Sequence, residues 1–586
     1  MKAGVLAAAA AFLPAVSGAK VTMNVPYVAD GVDCMGFVAY DSAKCTSASK
    51  CPAVMVIQDW NGMNEYEMAR SCMLADEGYV AFAADIYGVN TPKATNQDWI
   101  AASSSHGSNA TKYMGKISGA FTKLLTYDFV DATKLAAVGY CFGGTGMVNL
   151  AMVGHKGFPG IEFPQGLLGV ASFHGGLASG YAAPASSTTR PKLLLHSGGK
   201  DDSNENITNL TDALENVSAV YEISRYGPSV VHSFTEWGAN SVGQAMYDPW
   251  VDDSSWKSTV HFFLELFKDG VKPVAKPNLT AMPAEYTKED VSYVADGVDC
   301  LGYVVYKPSM CTSTKKCPAV MVIQDWNGMN VYEKDRAYLL AQQGYVAFAA
   351  DIYGVNTPKE TQSDWVAASS SHSSNATKYM NKIHGAFTKL LTYDFVDSSK
   401  LAAMGYCFGG TGMVNLAMVG HNGFPNVAFP MGLLGVVSFH GGLSSGYAAP
   451  VAGTRPRLLL HSGGKDDSND AISKLTNDLE GVGAKYELTR YGPNVVHSFT
   501  DWDANVPGRG MYDDRADYRS WGDTMDFLSK IFFGDGKGTM KPTAAQCNMN
   551  PGANAAGTQV VNGAMASSRA QVMALTLSLI CSAWTM

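Results

Sequence analysis

The chain has 586 residues, of which 46% are hydrophobic and 16% are charged. This composition is that of a folded globular chain and excludes disorder over the whole length. The net charge of −9, from 43 basic and 52 acidic side chains, offers no broad basic surface, so we expect no nucleic-acid partner. At roughly 150 residues per domain, the length alone predicts about four domains.

The first 19 residues have the order of a secretory signal peptide. Lys2 precedes an apolar run that ends at Val16, and small residues up to Ala19 form the expected cleavage site. The alternative, a buried N-terminal helix, is disfavoured because the run has no polar face. We therefore predict a signal peptide at 1–19 and a secreted or cell-surface protein. Six Asn-x-Ser/Thr sequons agree with an extracellular surface: Asn109, Asn206, Asn209, Asn216, Asn278 and Asn375.

Residues 20–270 alternate between short apolar runs and helix-length amphipathic stretches. Continuous apolar runs bounded by turn residues suit strands that are buried on both faces. Such runs lie at 53–57, 79–84, 135–138, 168–173, 193–195 and 221–224. Helices are predicted at 65–76, 112–127, 144–152, 204–217 and 254–267. The alternation predicts the α/β class, with a mostly parallel twisted sheet flanked by helices and functional groups at the carboxyl ends of the strands.

A nucleophile pattern follows the predicted strand at 135–138. The sequence GYCFGG at 139–144 precedes a helix and matches the elbow G-x-nucleophile-x-G, with Cys141 as the nucleophile. The turn is so sharp that its neighbours need to be glycine, and the following helix N-terminus favours a thiolate. The alternative is a small buried cysteine at a glycine-rich turn.

An acid and a base follow two later strands. Asp201 lies in HSGGKDD after the strand at 193–195, and His232 lies in VVHSF after the strand at 221–224. The order nucleophile, acid, base, each on the loop after its own strand, is typical of a hydrolase catalytic triad. Asp202 competes for the role of the acid, but Asp201 comes first after the glycine turn. His174, at the end of the strand at 168–173, is expected to be structural, with a place in the substrate pocket as the alternative.

The chain contains this domain twice. The segments 52–64, 78–93 and 139–155 recur 266 residues later. The domain count therefore falls to two, at 20–270 and 290–540, joined by a proline-containing linker at 271–289. The second copy repeats the triad as Cys407, Asp466 and His497, and it repeats the strand-end histidine as His440.

The remaining segment, 541–586, is predicted to be a disordered tail. Its last fifteen residues, 572–586, are mostly apolar but shorter than the roughly 20 residues of a membrane span. Small residues and a polar spacer precede them, which is the layout of a lipid-anchor signal. We therefore expect either membrane attachment through a C-terminal lipid anchor or a simple tail.

Nine cysteines remain outside the two triads and predict disulfides in an oxidising compartment. The first copy holds four of them, so three pairings are open there, and Cys547 is a candidate partner for the second copy. The spacings do not form the paired short steps of zinc sites. We expect no metal and no cofactor.

These motifs resemble the dienelactone hydrolase (carboxymethylenebutenolidase) family, a branch of the α/β-hydrolase superfamily with a Cys-His-Asp triad. The resemblance covers about 27–267 and 293–532 and is carried by GYCFGG, HSGGKD, HSF and VIQDWNGMN. It implies two tandem α/β-hydrolase domains that cleave a small-molecule ester or lactone through a thioester acyl-enzyme.

The resemblance also implies roles for residues near the nucleophile. In the family, an acid holds the resting thiol until substrate frees it, and Asp59 and Asp325 occupy that position here. Backbone N–H groups of the residue after this acid and the residue after the nucleophile form the family's oxyanion hole. In this chain those residues are Trp60, Phe142, Trp326 and Phe408.

One departure from the family concerns the substrate. Members that act on dienelactone carry an arginine four residues after the catalytic histidine, where this chain has Glu236 and Asp501. An acid repels a substrate carboxylate, so we expect a neutral ester or lactone. The alternative is that these acids lie on a solvated loop and that another arginine, such as Arg225, supplies the charge.

Two other functions use the same residues. One is a surface glycoprotein that binds through this fold without turnover, and the other is a thiol peptidase. Intact triads in both copies favour an enzyme, because a copy released from selection would be expected to lose triad members.

Overall fold

The structure is a computed structural model that describes residues 20–178, 180–185, 189–268, 273–443, 446–534, 538–543 and 545–547. The predicted signal peptide and the predicted lipid-anchor segment lie outside the described residues. The chain divides into two compact units. The first domain comprises 20–268 and 538–547, and the second domain comprises 273–534.

The first domain is built on a mixed sheet in the order β1-β2-β4-β3-β5-β6-β7-β8, in which β3 to β8 are parallel and β1 and β2 are antiparallel. Its strands are β1 (Lys20–Ala29), β2 (Val32–Asp41), β3 (Cys51–Ile57), β4 (Val80–Ala84), β5 (Val130–Tyr140), β6 (Leu167–Phe173), β7 (Lys192–Gly198), β8 (Tyr221–Gly227) and the short ribbon β9 (Asn240–Ser241) and β10 (Ala245–Met246). Its helices are α1 (Glu65–Asp76), α2 (Asn96–Gly107), α3 (Ala110–Leu124), α4 (Phe142–Val153), α5 (Asn204–Asn216) and α6 (Pro249–Phe267).

The second domain repeats this order as β11-β12-β14-β13-β15-β16-β17-β18. Its strands are β11 (Thr287–Ala295), β12 (Val298–Tyr306), β13 (Cys317–Ile323), β14 (Val346–Ala350), β15 (Val396–Tyr406), β16 (Leu433–Phe439), β17 (Arg457–Gly463), β18 (Tyr486–Gly492), β19 (Asn505–Val506) and β20 (Gly510–Met511). Its helices are α7 (Val331–Gln342), α8 (Gln362–Ser373), α9 (Ala376–Leu390), α10 (Phe408–Val419), α11 (Asn469–Gly481) and α12 (Asp514–Phe533), and a 3₁₀ turn, Leu279–Ala281, precedes β11.

The α/β class and the tandem arrangement are confirmed. The parallel strands carry apolar side chains on both faces, which explains why helices pack on both faces of the sheet. In β3, Met55 packs into the cluster that contains α3, α4 and α5, whereas Val54 and Val56 pack towards α1 and α6. Each fully buried side chain of this kind contributes about 1.5–3 kcal/mol to folding.

The antiparallel hairpin at the start of each domain was not among the predicted strands. Asp30 and Gly31 join β1 to β2, and both have positive φ values, 49° and 68°. Asp296 and Gly297 repeat this turn at 51° and 69°. The Asp-Gly dipeptide is a strong sequence signal for such two-residue hairpins.

Three disulfides are present among the described residues, which confirms the prediction of disulfides, and two of them join cysteines six residues apart. Cys45 bonds to Cys51, and the second domain repeats the bond as Cys311–Cys317. Cys34 and Cys300 do not follow the disulfide prediction, because each is a free thiol. Burial raises the pKa of each of these two thiols to about 11.

The third disulfide ties the end of the described chain to the first domain. Cys547 bonds to Cys72 of α1, and not to a cysteine of the second copy as the sequence suggested. We call residues 538–547 the C-terminal strap; it includes the start of the segment predicted to be a tail. The strap also accepts a hydrogen bond at the Thr539 carbonyl from Trp237 Nε1, at 2.9 Å.

Within the residues that the structure describes, no helix has both the length and the apolar character needed to cross a membrane. The same residues contain no group of three or more His, Cys, Asp or Glu side chains arranged to hold a metal ion.

Removal of the strap disulfide is expected to loosen the first domain selectively. In a Cys72→Ala/Cys547→Ala variant, α1 loses a cross-link, and cross-links of this kind contribute about 2–4 kcal/mol. Hydrogen exchange followed by mass spectrometry should show faster exchange in α1 (Glu65–Asp76), while its counterpart α7 (Val331–Gln342) keeps its wild-type rate. Equal acceleration in both helices, or none in α1, would contradict the assignment.

Candidate active site

Cys141 lies at a sharp turn between β5 and α4. Its backbone has φ 51° and ψ −112°, which is a rare conformation for a residue with a side chain and costs about 1–3 kcal/mol. The cysteine is partly exposed, and it immediately precedes the first turn of α4. The structure therefore places this thiol on a strained turn at the positive end of a helix.

The glycines around Cys141 make the turn feasible. A Cβ atom on Gly139 would lie 2.1 Å from the Gly143 carbonyl oxygen, and one on Gly143 would lie 2.5 Å from the Ile57 carbonyl oxygen. Both obstacles are backbone atoms, which cannot move aside as a flexible side chain would. The expectation that crowding demands glycine at this turn is confirmed.

Asp201 and His232 contact each other close to Cys141. Asp201 follows β7 and His232 follows β8, and the Oδ1 atom of the carboxylate lies 2.7 Å from Nδ1 of the imidazole. Both side chains are almost fully buried, at 6% and 7% exposure. The contact fixes the orientation of the imidazole and leaves Nε2 as the nitrogen available for proton transfer.

Asp202, the competing acid, has a different role in the loop. Its Oδ1 accepts a hydrogen bond from the Leu177 N–H at 2.9 Å, and burial and neighbouring Asp201 raise its pKa to about 7. Arg225 donates to the carbonyls of Gly199 and Asp202, at 3.1 and 2.9 Å. The guanidinium that we considered as a substrate ligand thus holds the loop that carries Asp201.

The electrostatic environment of His232 favours a proton on the imidazole. Burial alone would lower the pKa of His232, but the charges of Asp201 and Cys141 outweigh this effect and raise the pKa well above its usual range. In the second domain, Cys407 and Asp466 likewise raise the pKa of His497 against burial. The imidazole is therefore able to take the thiol proton.

Asp59 is buried on the other side of the site. Its Oδ1 and Oδ2 accept hydrogen bonds from the backbone and side-chain nitrogens of Asn61, at 2.8 and 3.2 Å. Burial raises the pKa of Asp59 well above its usual range, and Glu67, Cys141 and Glu236 add to the shift. The carboxyl group thus lies in the field of Cys141, while its role in holding the resting thiol stays a prediction.

The N–H groups of Trp60 and Phe142 have no protein acceptor among the described residues. Two tyrosines that the sequence did not single out orient the carbonyls of the same residues. Tyr87 donates to the Trp60 carbonyl and Tyr113 to the Phe142 carbonyl, each at 2.9 Å. Both N–H groups are therefore available to an oxyanion, and hydroxyl contacts limit the movement of the residues that carry them.

His174 contacts Cys141 through the backbone N–H of the cysteine. Its Nδ1 accepts a hydrogen bond from the Cys141 N–H at 3.2 Å, and its ring centroid lies 4.9 Å from that of His232. His440 makes the same bond to the Cys407 N–H at 3.2 Å. Both histidines are buried.

A small cavity of about 140 Å³ opens beside Trp60. Glu236 lies in its wall together with Trp99, whose ring makes an edge contact with Trp60 at 5.4 Å between centroids. Arg225 is not among the lining residues. The wall that a substrate would meet next to the predicted oxyanion hole therefore carries an acid and two indole rings.

The second domain builds the same arrangement. Cys407 has φ 50° at the start of α10, and His497 Nδ1 lies 2.7 Å from Asp466 Oδ1. Tyrosines again donate to the carbonyls of Trp326 and Phe408, at 2.9 Å.

The two sites differ in the exposure of the histidine that contacts the aspartate. The His497 side chain is 26% exposed, against 7% for His232. His232 forms a β-bridge with Ala245 of β10, which is buried. His497 forms the corresponding bridge with Gly510 of β20, which has no side chain. The two sites share a buried acid, because burial raises the pKa of Asp325 to about 7, as it raises the pKa of Asp59.

Comparison with known proteins gives one family for both domains. A model of the dienelactone hydrolase family matches residues 38–267 and 302–532. A probable 2-oxo-3-(5-oxofuran-2-ylidene)propanoate lactonase of a Bradyrhizobium species is 24% identical over 220 residues, which cover 37% of this chain and 84% of that protein. An uncharacterized protein of Caenorhabditis elegans is 29% identical over 168 residues, covering 26% of this chain and 95% of that protein.

Solved structures of single-domain size also match. A dienelactone hydrolase-like promiscuous phosphotriesterase from metagenomic libraries is 26% identical, covers 42% of this chain and 100% of its own, and has a TM-score of 0.37. An esterase of Thermogutta terrifontis is 16% identical, covers 44% of this chain and 98% of its own, and has a TM-score of 0.32.

The raised pKa of His232 predicts a pH-dependent thiol reactivity. A raised folded-state pKa means that the imidazolium is present at neutral pH and is lost only as the pH rises through that value. In a Cys407→Ala background, alkylation of Cys141 by iodoacetamide should therefore stay fast at pH 6. The His232→Ala variant should react at least ten-fold more slowly at pH 6, with the difference narrowing above pH 9. A constant difference across this range would argue against a thiolate–imidazolium pair.

Proposed function

The chain belongs to the dienelactone hydrolase family and is an ester or lactone hydrolase, and we propose that each domain works through a Cys-His-Asp triad and a thioester acyl-enzyme. The observation that carries this proposal is the contact between Asp201 and His232 behind the strained elbow of Cys141. Cys407, Asp466 and His497 are proposed for the same roles in the second domain.

In the proposed first step, Nε2 of His232 takes the thiol proton and Sγ of Cys141 attacks the carbonyl carbon. The N–H groups of Trp60 and Phe142 hold the oxyanion, and Asp201 stabilises the imidazolium. The carbon–oxygen bond of the ester then breaks, and the leaving alkoxide takes the proton from His232. The products of this step are the alcohol and a thioester on Cys141.

In the second step, His232 removes a proton from water, and the hydroxide attacks the thioester carbonyl. The carbon–sulfur bond breaks, the acid product leaves, and the proton on His232 returns to the thiolate. With a lactone substrate, the alcohol and the acid are parts of one product molecule. Because both steps pass through an oxyanion at the same position, one pair of N–H groups serves both.

We propose a neutral substrate. Glu236, which is partly exposed, lies in the cavity wall beside Trp60, and the buried carboxyl group of Asp59 lies within its electrostatic influence. A substrate carboxylate at this wall would face acids, while an uncharged acyl group could pack on the Trp60 and Trp99 rings.

We further propose that the protein is secreted, with a C-terminal lipid anchor as the mode of membrane attachment. The signal-peptide pattern, the layout of the tail and the three disulfides support this proposal. Five of the six sequon asparagines are exposed: Asn109, Asn209, Asn216, Asn278 and Asn375. Release of the cell-surface protein by a phospholipase specific for such anchors would test the attachment.

Nucleophile variants test the proposed mechanism. Cys141→Ala and Cys407→Ala should each abolish one site, and the double variant should lose about 1,000-fold or more of the hydrolysis of a chromogenic acetate ester. Cys34→Ala is the matched control, because Cys34 is a buried free thiol outside the site. Activity that survives in the double variant would exclude these nucleophiles, and binding without turnover by the wild type would favour the glycoprotein alternative.

The charge of the cavity wall predicts substrate selectivity. In the Cys407→Ala background, Glu236→Gln should raise kcat/KM for an ester with a terminal carboxylate about 5-fold relative to a neutral ester of equal length, because a like charge is removed. Glu205→Gln, on the exposed surface of α5, is the control and should leave the ratio unchanged. An unchanged ratio in Glu236→Gln would contradict the assigned role of this acid.

A further inference from the structure

We propose that His174 and Thr235 are positioning residues that hold the nucleophile elbow in its working conformation through a hydrogen bond to the Cys141 N–H. The inference deepens the proposed function and rests on the role given there to Cys141. It concerns a path of contacts that runs behind the turn, away from the substrate.

The first contact of the path is on the backbone of the nucleophile. The Cys141 N–H donates both to the Phe173 carbonyl, at 3.0 Å, and to Nδ1 of His174, at 3.2 Å. An imidazole nitrogen accepts a hydrogen bond only when it carries no proton. The contact therefore requires a neutral His174 with its proton on Nε2.

The second contact selects this tautomer. Nε2 of His174 lies 2.9 Å from the Thr235 hydroxyl oxygen, which accepts its proton in a hydrogen bond. Thr235 is completely buried, and its hydroxyl also lies 2.7 Å from the hydroxyl of Tyr66. Arg70 holds the backbone of the same threonine, because its Nη2 donates to the Thr235 carbonyl at 2.6 Å.

The neutral state of His174 is consistent with its surroundings. Burial lowers its pKa well below the usual range, and the neighbouring His232 and Arg70 lower it further. His232, by contrast, is the histidine whose pKa is raised. The two imidazole rings, with centroids 4.9 Å apart, therefore differ in charge. His232 favours the protonated state, and His174 stays neutral and accepts the hydrogen bond from the Cys141 N–H.

The elbow needs such a hold because its conformation is unfavourable. Cys141 has φ 51° and His174 itself has φ 40°, so the bond joins two residues in the left-handed region. Conformations of this kind persist only where the surrounding structure fixes them. If the Cys141 N–H lost the nitrogen acceptor, rotation at Cys141 would move the following N–H, on Phe142, away from the oxyanion.

The second domain contains the same path. The Cys407 N–H donates to His440 Nδ1 at 3.2 Å, and His440 Nε2 lies 2.8 Å from the Thr500 hydroxyl. Tyr332 lies 2.7 Å from that hydroxyl. The near-identity of the copies makes this a second place for the test rather than independent support.

The test uses Thr235→Val and Thr235→Ser in the Cys407→Ala background. Valine has nearly the same shape as threonine but leaves Nε2–H of His174 without its acceptor, which shifts the tautomer towards a proton on Nδ1, opposite the Cys141 N–H. For a neutral chromogenic ester, kcat should fall about ten-fold with KM nearly unchanged. Alkylation of Cys141 by iodoacetamide, which needs no oxyanion hole, should keep its wild-type rate. Serine restores the hydroxyl and should restore kcat.

Three results would overturn the inference. They are a wild-type kcat in Thr235→Val, a failure of Thr235→Ser to restore activity, and a parallel fall of kcat, alkylation rate and Tm, which would indicate a merely structural role. Absence of ester turnover in the Cys407→Ala parent would instead overturn the proposed function, and this inference with it.

If Thr235→Val does not fold, two variants of His174 test the positioning role instead. Asparagine places an acceptor close to the position of Nδ1, whereas glutamine places its amide near that of Nε2. His174→Asn should therefore keep several-fold more kcat than His174→Gln, and the reverse order would contradict the positioning role. The pair Thr500→Val and Thr500→Ser, in the Cys141→Ala background, should reproduce the result at the second site.

Discussion

A buried guanidinium that cannot lose its charge organises the first active site. The side chain of Arg70 in α1 is 1% exposed, and its Nη2 atom lies 2.6 Å from Oδ1 of Asp252 in α6, with which it forms an ion pair. Removing one partner of such a pair typically costs about 3–5 kcal/mol, because the other charge is left buried. The same guanidinium binds the Thr235 carbonyl and the Thr539 hydroxyl. One charge thus joins two helices, the loop that carries His232 and the C-terminal strap.

The second domain keeps this anchor and completes it with a different part of the chain. Arg336 pairs with Asp517 at 2.8 Å, and Trp502 stacks on the guanidinium at 4.0 Å, as Trp237 does on Arg70 at 4.2 Å. The indole N–H of Trp502 donates to the Val274 carbonyl, at the N-terminal end of the second domain, whereas that of Trp237 donates to the strap. Both copies therefore keep the arginine and the tryptophan that stacks on it. The segment that accepts the indole hydrogen bond differs: it is the N-terminal end of the second domain in one copy and the C-terminal strap in the other.

The sequence predicted most of the sheet, because continuous apolar runs have few alternatives to a strand buried on both faces. It also predicted that Cys141, Asp201 and His232 follow separate strands, as they follow β5, β7 and β8 in the structure. The carboxyl ends of parallel strands share one edge of the sheet, so these residues lie at that edge. Helix α2 was not predicted, because its serine-rich sequence has little amphipathic character. The capping box of Thr95 and Asp98 is the local signal that marks its start. The contact from His174 to Cys141 and the bond from Cys72 to Cys547 join residues far apart in sequence, and no local pattern encodes either.

The strap gives the first domain an unusual place in the order of synthesis. Apart from Cys547, the buried residues of its core lie before residue 268, but the residues that cover Arg70 and bond to Cys72 emerge from the ribosome only after the whole second domain. Domains usually fold as units from the N-terminus during translation. Here the domain made first is finished last, because the partner of Cys72 is synthesised only after the second domain.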